Sequence, residues 1–101
     1  MTIKLSQQQA EALSHLFNKV IIPEPVANIA ESLIKDLIIQ VYKKLWNKLY
    51  AKKKDGYSLS LTDVEAKAFY VYFQSRNLGP DWVYEQLMIE KHLAELDRAY
   101  A

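Results

Sequence analysis

Stretches with apolar residues at helical spacing alternate along the chain with short breaks that contain proline or glycine. Ser6 and Gln9, three residues apart, fit a capping box and predict the start of a first helix. The apolar positions of this helix keep helical spacing up to the prolines of residues 23–25, and they are Leu13, Leu16, Phe17 and Val20. Proline breaks a helix but suits its first turn, so Pro25 is expected to start the next helix.

The second helix is predicted from about Val26 to about Lys52. Its apolar residues recur at helical steps and form one broad face, made of Ile29, Leu33, Ile34, Leu37, Ile38, Val41, Tyr42, Leu45, Trp46, Leu49 and Tyr50. At about 1.5 Å per residue this helix is about 39 Å long, whereas the first is only about 21 Å long. Part of the broad face therefore needs cover from elsewhere in the molecule or from a partner.

Two further helices are predicted in the second half of the chain. Thr62 and Glu65 form a second capping box, which opens a third helix that continues to about Arg76. Pro80 then starts the fourth helix. The aromatic run of residues 69–73 suits a strand as well as a helix. We interpret it as helix because it aligns with the first helix when the chain is shifted along itself.

A shift of 56 residues superposes four identical pairs, which are Leu5 and Leu61, Ala10 and Ala66, Ala12 and Ala68, and Phe17 and Phe73. The chain is therefore predicted to be a single all-α domain, residues 1–101, of two helical hairpins at about 6–52 and 62–100 that pack as a four-helix, bundle-like unit. The repeat fits an internal duplication. It also fits two unrelated amphipathic helices, because both obey the same capping rules.

Composition narrows the classes of protein to consider. The chain has 101 residues, half of them hydrophobic, which is typical of a globular domain. Only two glycines and three prolines argue against a many-stranded sheet, and the absence of cysteine removes disulfides and thiolate metal sites. The apolar runs are far shorter than the roughly 20 residues that span a bilayer, and no export signal is visible. We therefore expect a soluble, cytoplasmic protein without a membrane partner.

No arrangement of residues predicts an enzyme. His15 and His92 lie outside any two-histidine metal motif, and their spacing from Glu11 and Glu95 is typical of surface pairs on a helix. The two glycines lie in separate turns and cannot form a phosphate-binding loop. The acidic residues at the predicted starts of helices three and four suit the helix dipole, and they are Asp63, Glu65, Asp81 and Glu85. We predict no catalytic residue, no metal site and no cofactor.

The net charge of +1 hides a strong local asymmetry. Six lysines lie within twelve residues that contain no acidic residue, and they are Lys43, Lys44, Lys48, Lys52, Lys53 and Lys54. Residues 81–101 instead carry a net charge of −3. These lysines are interleaved with Tyr42, Trp46 and Tyr50. The lysines can bind phosphates, and exposed aromatic rings beside them can stack on bases. Alternatively the aromatics belong to the core, and the lysines suit the negative end of a helix.

Two functions remain from the sequence. The first is a non-enzymatic protein interaction or assembly module, which forms a homo-oligomer through Tyr42, Trp46 and Tyr50 because the long second helix is richer in aromatics than its short partner can cover. The alternative is a nucleic-acid accessory protein that uses the lysines of residues 43–54. The absence of arginine from this cluster favours the first function, because arginine commonly carries base and phosphate recognition.

Overall fold

Four α-helices and one two-stranded sheet make up the part of the chain that the computed structural model describes, residues 1–50, 56–74 and 76–100. In chain order the elements are β1 (Thr2–Leu5), α1 (Gln7–Leu16), a π-helical turn (Phe17–Ile21), α2 (Ile29–Tyr50), β2 (Tyr57–Ser60), α3 (Asp63–Phe73), a 3-10 turn (Pro80–Trp82) and α4 (Val83–Tyr100). The chain is mainly helical, as predicted, and the aromatic run of residues 69–73 is helix.

The small sheet corrects the all-α prediction. β1 and β2 pair antiparallel, with Ile3 opposite Leu59, and the Leu61 N–H extends the pairing by donating to the Met1 carbonyl at 2.8 Å. Each strand alternates buried and exposed residues, and the buried face consists of Ile3, Leu5, Tyr57 and Leu59. Gly56 leads into β2 with a φ of +90°, and a Cβ there would lie 2.9 Å from the Leu5 carbonyl oxygen. Glycine therefore permits the close approach of the two strands.

Both predicted capping boxes are confirmed. The Gln9 N–H donates to the Ser6 hydroxyl at 3.1 Å, and the Ser6 N–H donates to the Gln9 side chain at 2.9 Å. Thr62 and Glu65 make the equivalent pair of bonds at 3.2 and 2.8 Å. α1 and α3 consequently begin directly after their capping residues.

Several other helix boundaries differ from those predicted. α2 begins at Ile29 rather than Val26, because the Asn28 side chain accepts the Glu31 N–H at 2.9 Å and acts as the cap in place of a proline start. α3 ends at Phe73 rather than Arg76, and residues 80–82 form a 3-10 turn before α4 starts at Val83. The predicted end of the second helix at Lys52 lies outside the described residues.

The core lies between α2 and the elements packed around it. Ile38, Val41 and Leu45 face inward from α2, and Phe17 of the π-helical turn is buried against Tyr42 and Phe73. α4 packs against α1 and α3. Among the described residues, no helix combines the length and apolar character needed to cross a membrane.

Candidate interaction surface at the end of α2

Two aromatic side chains near the end of α2 project into solvent. Trp46 is 50 % exposed and Tyr50 is 77 % exposed. They are four residues apart, so they lie on one side of the helix, and their rings stack with centroids 5.6 Å apart and planes 25° apart. Leu49 and Ser14 of α1 join them around an open concavity of about 550 Å³. We call these four residues, Ser14, Trp46, Leu49 and Tyr50, the aromatic surface.

Tyr42, the third predicted interface residue, has a different environment. Its ring is half-buried and stacks on Phe17, with centroids 5.5 Å apart. The alternative interpretation, in which all three aromatics belong to the core, is therefore partly right for Tyr42 and wrong for Trp46 and Tyr50. The helical spacing placed all three on one broad face, but α1 and the core cover only the part of that face nearest Tyr42.

The predicted lysine cluster divides into residues with separate environments. Lys43 is exposed, and Lys48 is half-buried. Lys44 points to the start of α3, where its Nζ lies 2.5 Å from Glu65 Oε1 and 3.2 Å from the Ser60 carbonyl oxygen. Lys52, Lys53 and Lys54 lie outside the described residues. The cluster is therefore not a uniform basic stripe, since Lys44 already has an anionic partner within the fold.

Glu65 caps α3 as predicted, and it also forms an ion pair with Lys44. Its side chain is buried and accepts hydrogen bonds from both the Thr62 N–H and Lys44. Burial alone would raise the pKa of the Glu65 carboxyl, but the bonds from Lys44 and Thr62 outweigh it and hold that pKa below its usual value. Sequence reasoning missed this ion pair, because the two residues lie 21 positions apart on different helices.

His92 was interpreted as a surface residue paired with Glu95, and the structure corrects this. The ring is buried in the face of α4 that packs inward, and neither ring nitrogen has a hydrogen-bond partner among the described residues. Glu95 Oε2 lies 3.7 Å from Nδ1, too far for a hydrogen bond. Burial lowers the pKa of His92, and the nearby Glu95 charge offsets this only in part. His15, by contrast, is exposed as predicted.

We expect the burial of His92 to make stability depend on pH. Because the pKa is lower in the folded state than the ordinary value of 6.5, the unfolded state binds more protons below about that pH. The free energy of unfolding should therefore fall as the pH drops below about 6.5. The variant His92→Leu removes the ring nitrogens and should flatten this dependence in urea unfolding between about pH 7 and 5.

The matched control for this measurement is His15→Leu, which changes the exposed histidine and should leave the wild-type pH dependence intact. A wild-type protein whose stability is constant across this range, or a His92→Leu variant that keeps the full dependence, would contradict the prediction.

A second concavity of about 470 Å³ lies between the start of α2 and the end of α3. Its apolar lining includes Leu33 and Val71, and Arg76 at its edge binds both carboxylate oxygens of Glu24, at 2.7 and 2.5 Å. Burial is the main cause that raises the pKa of the neighbouring Tyr72 to about 12. The Arg76–Glu24 pair is satisfied within the chain, and the other two charged residues of the lining, Lys35 and Glu31, bond to backbone groups of residues 22–27.

The described residues contain no group of three or more histidine, aspartate or glutamate side chains placed to hold a metal ion. No protein-family model, no curated protein and no solved structure matches the chain. The aromatic surface is therefore interpreted from its own geometry and charge.

Proposed function

We propose that this protein is a non-enzymatic assembly module that binds a second copy of itself through the aromatic surface. The observation that carries the proposal is the exposure of the stacked Trp46 and Tyr50 rings, which α1 leaves uncovered. Tryptophan and tyrosine are enriched among the residues that dominate binding at protein interfaces. Tryptophan and tyrosine side chains also have only two rotatable bonds, so covering them costs little side-chain entropy.

The exposed area of the two rings limits the free energy of association that covering them can contribute. A fully covered aromatic side chain buries roughly 150–250 Å². Because Trp46 is 50 % exposed and Tyr50 is 77 % exposed, their uncovered area is about 250 Å² together. At about 25 cal/mol per Å², covering them favours association by roughly 6 kcal/mol. Bringing two molecules together costs about 4–15 kcal/mol. The pair is therefore a strong anchor that needs additional contacts from the partner.

The variant Trp46→Ala tests the proposal. We expect wild-type protein to exceed the 11.7 kDa monomer mass as its concentration rises, and Trp46→Ala to remain monomeric over the same range, measured by light scattering after size exclusion. Removing an anchor of this type weakens binding by about 2 kcal/mol or more. Trp46 is not in the core, so the thermal midpoint should change little at concentrations where the wild type is also monomeric. A wild-type protein that stays monomeric at high concentration would overturn the proposal.

Binding of single-stranded nucleic acid is a second candidate function, and the same stacked rings beside the exposed Lys43 favour it. The pairing of Lys44 with Glu65 leaves less positive charge for phosphates, so we place this function second. Lys43→Glu separates the two, because it reverses an exposed charge without disturbing that ion pair. Retention of wild-type protein on single-stranded DNA at low salt, lost in Lys43→Glu, would favour nucleic acid over self-assembly.

We also propose that the two halves of the chain arose by duplication and that their helices pack as a bundle. Each half contains a strand, a capping box and a helix in the same order, and the capping boxes are 56 residues apart. The pairing of β1 with β2 supports a duplication. Ile3 and Leu59 lie opposite each other in the sheet and are also 56 residues apart, so they hold equivalent places in the two halves. An experimental structure whose two strand and helix units fail to superpose would remove the duplication.

A further inference from the structure

α4 lies at the edge of the core and packs mainly against α1 and α3. The contacts of α2 with α1, α3 and β2 do not involve α4, and Phe17 lies beside them, in contact with Tyr42 and Phe73. Local opening costs the least free energy where an element has few buried contacts with the rest of the fold. α4 is therefore the helix that can separate while the other described elements keep their packing.

His92 lies in the middle of the face that α4 turns inward. The other buried residues of this helix are apolar, and they are Met88, Ile89 and Leu96. The His92 ring is 4 % exposed, and neither Nδ1 nor Nε2 has a hydrogen-bond partner among the described residues. A buried polar group without a partner is costly, so His92 makes this contact less stable than an apolar residue would.

The charged groups that α4 itself places beside His92 cannot satisfy a protonated ring. Glu95 Oε2 lies 3.7 Å from Nδ1, and the positive charge of Lys91 disfavours a second positive charge on the ring. An imidazolium donates from both nitrogens, and these point away from each other. A carboxylate that binds Nδ1 therefore leaves Nε2 without an acceptor.

The titratable residues of α1 and of the turn before α4 have other contacts or lie far along the helix. Glu11 accepts a hydrogen bond from Gln7, and the His15 ring packs against Trp82 at the start of α4. Asp81 lies about three turns before His92 in the sequence. None of these groups is a hydrogen-bond partner of the His92 ring.

The titratable residues of α3 that contact α4 do so beyond His92. Asp63 accepts a hydrogen bond from the Tyr100 hydroxyl at 2.9 Å, and Lys67 lies over the Tyr100 ring. The Tyr70 hydroxyl donates to Asp97 at 3.1 Å. These contacts hold the last turns of α4 and leave the middle of the helix to apolar packing around His92.

We propose that α4 is an acid-sensitive element, which separates from α1 and α3 when His92 is protonated while the rest of the fold stays intact. Water can bind both N–H groups of the imidazolium once the helix has opened, which the closed contact cannot do. The lowered pKa of His92 in the closed state agrees with this direction. The closed state is therefore fully favoured above about pH 6.5 and loses this advantage as the pH falls below that value. The opening is confined to residues 83–100.

Amide hydrogen exchange between about pH 7 and about pH 5, corrected for the intrinsic effect of pH on the exchange rate, tests the proposal. Protection of residues 83–100 should fall by up to about tenfold per pH unit below about 6.5, because the opening takes up one proton. Residues 38–45 of α2 should remain more strongly protected than α4 at every pH. The protein concentration is one at which light scattering detects only the monomer, so self-association does not contribute.

His92→Gln cannot take up the proton, so the protection of α4 in this variant should not depend on pH. His92→Leu repeats the test with an apolar side chain, which suits the buried position even where glutamine impairs folding. His15→Leu is the matched control and should behave like the wild type.

Two outcomes would overturn the proposal. The first is equal protection of residues 83–100 and 38–45 at every pH, which would mean that the fold opens only as a whole, although the effect of pH on global stability would stand. The second is a fall in α4 protection with pH that is as steep in His92→Gln and His92→Leu as in the wild type.

Discussion

Phe17→Ala is expected to lower the free energy of unfolding by about 3–5 kcal/mol, the range for deleting a buried aromatic side chain. Phe17 is fully buried in the π-helical turn, where its ring packs against Tyr42 of α2 and Phe73 of α3. Its removal leaves a cavity where three helical segments meet, and they cannot all move in to fill it. A domain of this size has only about 5–15 kcal/mol of stability, so the variant should be close to unfolding at body temperature.

Urea unfolding followed by circular dichroism measures this loss. Leu33→Ala is the control, because Leu33 is 60 % exposed and its truncation should change stability by no more than about 0.5 kcal/mol. A Phe17→Ala variant that loses less than about 1 kcal/mol would show that the three segments do not depend on this ring.

The second large effect is expected from Lys44→Met, which leaves the buried Glu65 carboxylate without its ammonium partner. Exposed ion pairs contribute at most about 1 kcal/mol, whereas breaking a fully buried pair costs about 3–5 kcal/mol. Glu65 is buried and Lys44 is partly exposed, so we expect an intermediate loss of about 2 kcal/mol at pH 7. Lys43→Met is the matched control, because Lys43 is the adjacent lysine and is exposed.

The effect of Lys44→Met should also depend on pH. In the wild type, the lowered pKa of Glu65 contributes stability above its usual value of 4.5, and this contribution is lost as the pH falls through the folded-state pKa. Without Lys44, burial favours the protonated carboxyl and raises its pKa. The difference between variant and wild type should therefore shrink below about pH 4.5. A difference that stays constant down to pH 3 would contradict the ion-pair explanation.

Features that depend on neighbouring residues in the sequence were predicted correctly. The capping boxes at Ser6 and Thr62 each involve atoms only three residues apart, so the local sequence is sufficient to specify them. The helical state of residues 69–73 was predicted from their alignment with the first helix at a shift of 56 residues, and it is confirmed. No strand was predicted, because residues 2–5 and 57–60 are only four residues each, and so short a segment forms a strand only when a partner pairs with it. That partner lies more than 50 residues away along the chain.

The candidate sites depended more strongly on tertiary packing. Tyr42, Trp46 and Tyr50 follow one another at the same helical step, and nothing local distinguishes the ring that stacks on Phe17 from the two that reach solvent. Lys43 and Lys44 are likewise adjacent, yet only Lys44 reaches Glu65. His92 and Glu95 have the spacing of a surface pair, but α4 turns the histidine inward. In each case the deciding contact comes from another element.

The sequence by itself therefore determined the order of the four helices and how two of them begin, because caps and helical spacing act over three or four residues. It also determined the separation of charge between α2 and α4. Only the tertiary structure decided that β1 pairs with β2, that Glu65 and His92 are buried, and that Trp46 and Tyr50 are exposed. These properties depend on which elements cover which side of each helix, and that arrangement is decided by packing between residues distant in the chain.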